Sequence, residues 1–235
     1  VHVAGLWRYP VKSLRAEPLH VAELTSDGVG GDRLVHVRGT RGPLTGRSRH
    51  GLLTVPATTG PDGVPLVAGH RWDSHEAAAA VREHAGPGAT LAAYDGPERF
   101  DIANLLVATD GEVAELGVDV RRLRPNVLIG GVPAGAERTW PGRALQIGEV
   151  TIGILKLRRR CVVTTIDPDS GAQDVGVLRT INAEFGGEMA LDAWVVAPGT
   201  IRIGDRVELV DSDARPRHVG GWIVGRPYAG AGAPG

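Results

Sequence analysis

The chemistry that this 235-residue chain could perform concentrates at its one thiol. Cys161 stands in Lys156-Leu-Arg-Arg-Arg-Cys-Val-Val-Thr-Thr-Ile-Asp-Pro-Asp-Ser-Gly171, directly after three guanidinium groups. Positive charge beside a thiol favours the thiolate, which is the form that attacks electrophiles and binds soft metals. A lone cysteine is equally a good small core hydrophobe, so the segment by itself leaves the packed and the functional reading open. Asp167 begins the Asp-Pro-Asp-Ser-Gly run, whose residue types suit a turn. Other chemical signatures are missing. His75-Glu76 has no second His for an HExxH pair, and there is no GxSxG elbow or Walker A run. Gly28-Val-Gly-Gly-Asp32 lies between two strand-like runs and reads as a turn. The 8 His residues are scattered, none pairing with another at metal-ligand spacing, and His36 reads as a packed or surface strand residue.

The elements that must position these residues are mostly short strands. Apolar alternation and short apolar runs predict strands at residues 1–7, 19–24, 33–37, 52–58, 64–68 and 90–94, with an apolar run at 102–108. Further strands are predicted at 126–129, 144–147, 150–157, 162–166, 193–196, 201–203 and 207–210. Ser74 caps a predicted helix over residues 77–84 that ends at Gly86-Pro-Gly88. Thr109-Asp-Gly-Glu112 has capping-box spacing and opens a short helix stopped by Gly117. Asp174 caps a third, with Leu178, Ile181 and Phe185 on one face and Gly186 as its stop. The pattern predicts a β-rich α+β fold with barrel-like sheets.

Composition narrows the function classes. Lys+Arg number 26 and Asp+Glu 27, so the net charge of -1 carries no footprint for polymeric nucleic acid or an acidic membrane. No apolar run approaches the roughly 20 residues of a bilayer span, and the first residues lack a signal-peptide pattern. With 42% hydrophobic and 23% charged residues the composition is that of an ordinary globule. One Cys allows no internal disulfide and no cysteine-rich cluster, which points to the reducing cytoplasm. Beyond Asp211 the chain drifts to Arg, Gly, Pro and Ala, and residues 229–235 read as a disordered tail.

The cysteine segment resembles the motif of the MOSC family, the molybdenum-cofactor-sulfurase C-terminal domain. Tyr9-Pro-Val-Lys-Ser13, Gly28-Val-Gly-Gly-Asp-Arg33 and Leu44-Thr-Gly-Arg47 are similar to the β-barrel domain that precedes it in relatives. Arg122-Leu-Arg-Pro-Asn126, Trp140, Ile147-Gly148 and Val196-Ala-Pro-Gly-Thr-Ile-Arg-Ile-Gly-Asp-Arg-Val207 continue the likeness in order. The resemblance implies an N-terminal β-barrel-like domain over residues 1–97 packed on a MOSC β-barrel over 98–212 with a few short helices, then a partly disordered extension over 213–235.

It also implies a chemistry, that of the amidoxime-reducing relatives. A molybdenum–molybdopterin cofactor (Moco) would be ligated by Cys161. Its phosphate would be held by Lys12, Ser13, Arg33, Arg124 and Asn126, with Arg47 extending the anion pocket and Arg160 also binding the cofactor, Lys acting as a point charge and Arg as a bidentate grip. Asp167 is either the head of a turn or a group at the metal's open face. Arg158 and Arg159 depart from the small or hydroxylated residues that precede the Arg-Cys pair in relatives.

The implied activity is two-electron reduction of N-hydroxylated small molecules such as amidoximes, hydroxylamines and N-hydroxylated bases. The sequence has no ferredoxin cysteines, so electrons are expected from a separate donor: a ferredoxin, a cytochrome b5-type protein or a flavin reductase. The alternatives are a non-catalytic carrier of cofactor or sulfur through Cys161, without a pyridoxal-phosphate desulfurase domain of its own, and a barrel that binds something else.

Overall fold

In the computed structural model, which describes residues 1–94 and 99–216, the chain is a β-rich α+β protein with three α-helices among the described residues. The first half holds β1 (His2–Arg8), β2 (Glu17–Leu19), β3 (Val21–Thr25), β4 (Gly28–Val29), β5 (Val35–Gly39) and β6 (Gly42–Leu44). It continues through β7 (Ala57–Thr59), β8 (Pro65–Val67), β9 (His70–Arg71), α1 (His75–Ala85) and β10 (Thr90–Ala93). Next come β11 (Leu105–Thr109), α2 (Asp110–Leu116), β12 (Val127–Gly130), β13 (Arg143–Ile147) and β14 (Val150–Arg159). The last are α3 (Val175–Glu184), β15 (Glu188–Ala197), β16 (Gly199–Arg202) and β17 (Glu208–Asp211).

One eight-stranded sheet, in the order β17-β13-β14-β15-β11-β12-β1-β2, organises the molecule. Its pairs are antiparallel except β11 with β12, which are parallel and joined through α2. The first strands of the chain thus sit inside a sheet made mainly by its second half, and β3 likewise pairs with β16. Register aligns Leu6, Val127, Val107, Leu191 and Leu157 in one row across five strands. The first four are at most 2% exposed and belong to the main apolar core, against which Leu157 also packs. Successive strand residues point to opposite faces. Asn126, Leu106, Asp192 and Arg158, each the chain neighbour of a row residue, therefore face away from that core.

A second core gathers Val11, Leu14, Val35, Val37, Leu52, Val81 and others around α1, and a third packs Leu123, Ile181, Phe185 and Met189.

The expected barrels are not there: among the described residues the four sheets are open. The edge strands of the large sheet, β17 and β2, do not pair with each other, and β2 carries Pro18, which has no N–H to offer a further strand. Local expectations also shift. The predicted strand at 19–24 breaks at His20 into β2 and β3, which belong to different sheets. The runs at 52–58 and 162–166 instead begin as the 3-10 turns His50–Thr54 and Val162–Thr165. Buried Thr164 and Thr165 turn their hydroxyls back onto carbonyls three residues earlier, a local bond that competes with a ladder. Arg33, expected in a strand, has φ 52 and lies in the turn before β5.

Helix caps behave as expected at Ser74, which accepts from the Ala77 N–H at 3.1 Å, and at Asp174, which accepts from Gly176 at 2.8 Å. The capping box at α2 is not formed. Thr109 donates to Glu137 instead, and Glu112 is buried against Arg138 and Ala190. The expected face of α3 is led by buried Val177 rather than Leu178. The tail at 229–235 lies outside the described residues.

Because β1 is an interior strand of the large sheet, Leu6→Ala, removing a side chain only 2% exposed, should destabilise the whole domain by about 2–5 kcal/mol. Urea unfolding followed by tryptophan fluorescence measures this, and a loss below about 1 kcal/mol would show β1 to be peripheral.

Candidate functional site

A cleft lies on the face of the large sheet turned away from the main core, under loops of the first half. Lys12 and Ser13 reach it from the loop after β1, Arg33 from the turn after β4, and Arg47 from the loop after β6. Arg124 and Asn126 come from the segment entering β12, and Arg160 and Cys161 from the end of β14. All eight of these residues, separated by up to about 150 positions, line the same cleft.

Backbone conformation is unusual there. Ser13, Arg33 and Arg124 have φ of 71, 52 and 59°, the left-handed region that non-glycine residues rarely occupy. Such a conformation persists only where the surroundings over-determine it. For Arg33 and Arg124 the determinant is Tyr9, which is fully buried. The Tyr9 ring carries the Arg33 guanidinium at 4.8 Å from its centroid and that of Arg124 at 4.3 Å, a cation–π arrangement. The Tyr9 N–H donates to Asp32 at 2.7 Å, and its hydroxyl donates to the Pro125 carbonyl at 3.0 Å. Asp32 also pairs with Arg33. Burial pushes the Tyr9 pKa up to about 12 against the pull of the two arginines, so the phenol remains a donor.

The electrostatics are lopsided. Seven cationic residues line the cleft against two carboxylates, Asp101 and Asp192, in a chain whose net charge is -1. Asp101 holds Lys12 at 2.9 Å, Arg47 at 2.8 Å and Arg158 at 3.3 Å. Burial works to raise the Asp101 pKa, but those three cations together outweigh it and hold the carboxyl well below its ordinary range. Lys12 is shifted downward, by burial first and by Arg33 and Arg47, with Asp101 opposing. Arg158 also grips Asp192 at 2.8 Å. Burial raises the pKa of Asp192 in spite of that pair, and its Oδ2 has no hydrogen-bond partner.

Arg124 and Arg160 show no carboxylate partner among the described residues. Arg124 donates to the Leu14 carbonyl at 2.8 Å and Arg160 to the Leu123 carbonyl at 2.6 Å. The Arg160 Nε is buried without a partner. Burial lowers both pKa values to about 10, with Asp32 and Asp101 opposing at Arg124 and Asp192 at Arg160, and neither guanidinium makes an ion pair among the described residues. Cys161 is half-buried between the end of β14 and the 3-10 turn, with its carbonyl accepting from the Thr164 N–H and hydroxyl. The arrangement offers one soft sulfur donor beside an anion-seeking set of guanidinium groups.

Asn126 is 1% exposed, and its amide also knits the sheet, accepting from the Leu106 N–H at 3.2 Å and donating to the Trp7 carbonyl at 3.3 Å. Asp167 does not line the cleft. It heads its turn, accepting from the Ser170 N–H at 2.8 Å and hydroxyl at 2.9 Å, and pairs with Arg122 at 3.1 Å. The Ser170 bonds lower its pKa to about 2. Asp101, Asp192 and the platform role of Tyr9 escaped sequence reasoning. Neither carboxylate sits in a motif, and only the spacing of Tyr9 to Lys12 hinted at the third.

Residues 80–208 match the MOSC domain, and the chain belongs to that family. Among relatives, it is 31% identical over 138 residues to mitochondrial amidoxime-reducing component 1 of Mus musculus, covering 47% of this chain and 37% of that one. It is 34% identical over 80 residues to mitochondrial amidoxime reducing component 2 of Macaca fascicularis, covering 32% of this chain and 23% of that one. The chain thus spans well under half the length of these relatives. Among solved structures, the YuaD protein of Bacillus subtilis aligns over 90% of this chain and 96% of its own, with a TM-score of 0.46 and 11% identity.

Two substitutions test the site's construction. Tyr9→Phe keeps the ring beneath both arginines but strands the Pro125 carbonyl, so thermal or urea unfolding should show a loss of about 1–3 kcal/mol. Asp101→Asn should cost about 1–3 kcal/mol at neutral pH by removing the carboxylate that Lys12, Arg47 and Arg158 share. A carboxyl whose folded pKa is depressed contributes stability that is present above the unfolded value of about 4 and lost as pH falls below it. The gap between wild type and Asp101→Asn should therefore close in acid; a gap that persists there would assign the loss to packing.

Proposed function

We propose that this protein binds the molybdenum–molybdopterin cofactor in the cleft and reduces N-hydroxylated compounds: amidoximes, hydroxylamines and N-hydroxylated bases. The observation that supports it is the meeting of the sole thiol with Arg124 and Arg160, which make no ion pair with a carboxylate among the described residues. The residues suit the group chemically. A thiolate is a soft donor fit for molybdenum, and the unpartnered Arg160 Nε is a donor that an anionic tail would satisfy. Cys161 would ligate the metal, while Lys12, Ser13, Arg33, Arg124, Asn126 and Arg160 would hold the phosphate and Arg47 would stand at its margin.

Reduction of an N–OH group to N–H consumes two electrons and two protons and releases water. When bound, the cofactor supplies the two-electron change. The chain's own part is to bind and orient. Asp101 fixes Lys12, Arg47 and Arg158 relative to one another, and Tyr9 fixes Arg33 and Arg124. Electrons would come from a separate donor of the ferredoxin, cytochrome b5 or flavin-reductase kind. The names of the amidoxime-reducing relatives agree with this reading, and the single thiol agrees with a reducing, cytoplasmic setting.

The test is expression in a host that makes the cofactor, followed by molybdenum analysis, pterin fluorescence and benzamidoxime turnover with a chemical reductant. The wild type should retain about one molybdenum per chain and reduce the amidoxime, and Cys161→Ala should lose metal and activity while keeping its fold. Folded wild-type protein that retains no molybdenum would sink the proposal. Loaded protein that reduces nothing would make it a carrier of cofactor or sulfur through Cys161.

A further inference from the structure

A second buried ionic cluster lies away from the cleft. Glu112 on α2 and Glu137 in the 3-10 turn Ala136–Thr139 are 1% and 0% exposed. Glu112 accepts from the Arg138 guanidinium at 3.1 Å and from the Ala190 N–H at 3.3 Å. Glu137 accepts from the Thr109 hydroxyl at 3.1 Å through one oxygen, while its Oε1 is buried without a partner. Two carboxylates facing one guanidinium leave a negative charge unmatched out of water, which is strongly unfavourable. A single proton removes the difficulty, because a protonated Glu112 carboxyl can donate to the Glu137 carboxylate with which it is in hydrogen-bond contact.

We propose that Glu112 and Glu137 share one proton in the folded protein and that the pair is a pH-sensitive latch on the turn that supports Cys161. The connection runs through a continuous set of hydrogen bonds to the backbone. The Arg138 guanidinium that pairs with Glu112 also donates to the carbonyls of Phe185 and Glu188, both at 3.1 Å. Between them, the Gly187 carbonyl accepts from the Arg160 N–H at 2.9 Å, and the next residue is Cys161. Ala190, whose N–H reaches Glu112, has φ 62, a left-handed conformation that the carboxyl helps to hold.

Among the described residues the charged groups facing Glu112 are Glu137 and Arg138. Burial, then hydrogen bonding and repulsion from Glu137, push the Glu112 pKa up to about 8 from 4.5. The folded state therefore holds a proton that the unfolded chain releases. The stability it brings is complete below about pH 4.5 and is lost as pH rises towards about 8. Over that window one linked proton raises the unfolding equilibrium constant by up to about tenfold per pH unit. Beyond it the pair carries two charges, and the turn under Arg160 loosens.

The experiment compares wild type with Glu112→Gln by urea unfolding from about pH 5 to about pH 9 and by hydrogen exchange at the Arg160 amide. With rising pH the wild type should lose stability more steeply than the variant, by up to one proton's worth of slope, and its Arg160 amide should exchange about tenfold faster than the variant's at the alkaline end after correction for intrinsic rates. Equal slopes in the two proteins overturn the latch. Should Glu112→Gln not fold, infrared spectroscopy of the wild type decides. A protonated-carboxyl band at neutral pH that disappears near pH 8 supports the shared proton, and its absence overturns it.

Discussion

Charge withdrawn from water and held without an ion-paired carboxylate, among the described residues, is the constraint around which the cleft is arranged. Arg124 is held by the Leu14 carbonyl and the face of Tyr9, and Arg160 by the Leu123 carbonyl. A carbonyl supplies a dipole, and an aromatic face supplies a quadrupole, but neither cancels a full charge. Such a pair is tolerable because it is rigidly positioned and because the cleft stays open to anions. The left-handed backbone at Arg33 and Arg124 belongs to the same arrangement, since both guanidinium groups must reach one tyrosine ring from loops on either side of it.

The large sheet makes that convergence affordable in chain terms. A row of aliphatic residues from β1, β12, β11, β15 and β14 faces the core, and alternation then commits their neighbours to the other face. Asn126, Asp192 and Arg158 line the cleft because Val127, Leu191 and Leu157 are apolar and one residue away. A register slip of one residue would reverse every one of these side chains, so the packing of the core and the polarity of the cleft are specified together. The inclusion of β1 in this sheet brings Tyr9, Lys12 and Ser13 against segments more than a hundred residues later.

Much of this was legible in the residues. Cys161 and the cationic positions sit in compact motifs, and the caps at Ser74 and Asp174 act locally, so both kinds of signal survive folding. What escaped was set by distant partners. Asp101 gains its meaning from Lys12 and Arg47, which no spacing near Phe100-Asp101-Ile102 announces. Thr109 and Glu112 satisfy the capping-box pattern, yet the buried carboxylate of Glu137 competes for the threonine hydroxyl and Arg138 for the glutamate. The apolar runs at 52–58 and 162–166 were ambiguous by periodicity alone, and side-chain bonds from Thr54, Thr164 and Thr165 back to the chain turned their starts into 3-10 geometry. Barrel-like closure was expected both from the run of short strands and from the family likeness, but the edge strands β17 and β2, the latter short and bearing Pro18, do not pair with each other.

The placing of the two carboxylates divides the cleft into unequal parts. Around Asp101, three cations share one carboxylate, and Arg158 continues the chain of pairs to Asp192. That part is locally compensated, so an incoming anion there must compete with a carboxylate already bound. Around Arg124 and Arg160 there is no such competitor among the described residues, and the lowered pKa of each records how poorly its charge is solvated. An anion therefore gains most at the second part and is only oriented by the first. Arg160 adjoins Cys161 in the chain, and both line the cleft, so on the proposed function one ligand would engage the guanidinium and the thiol together.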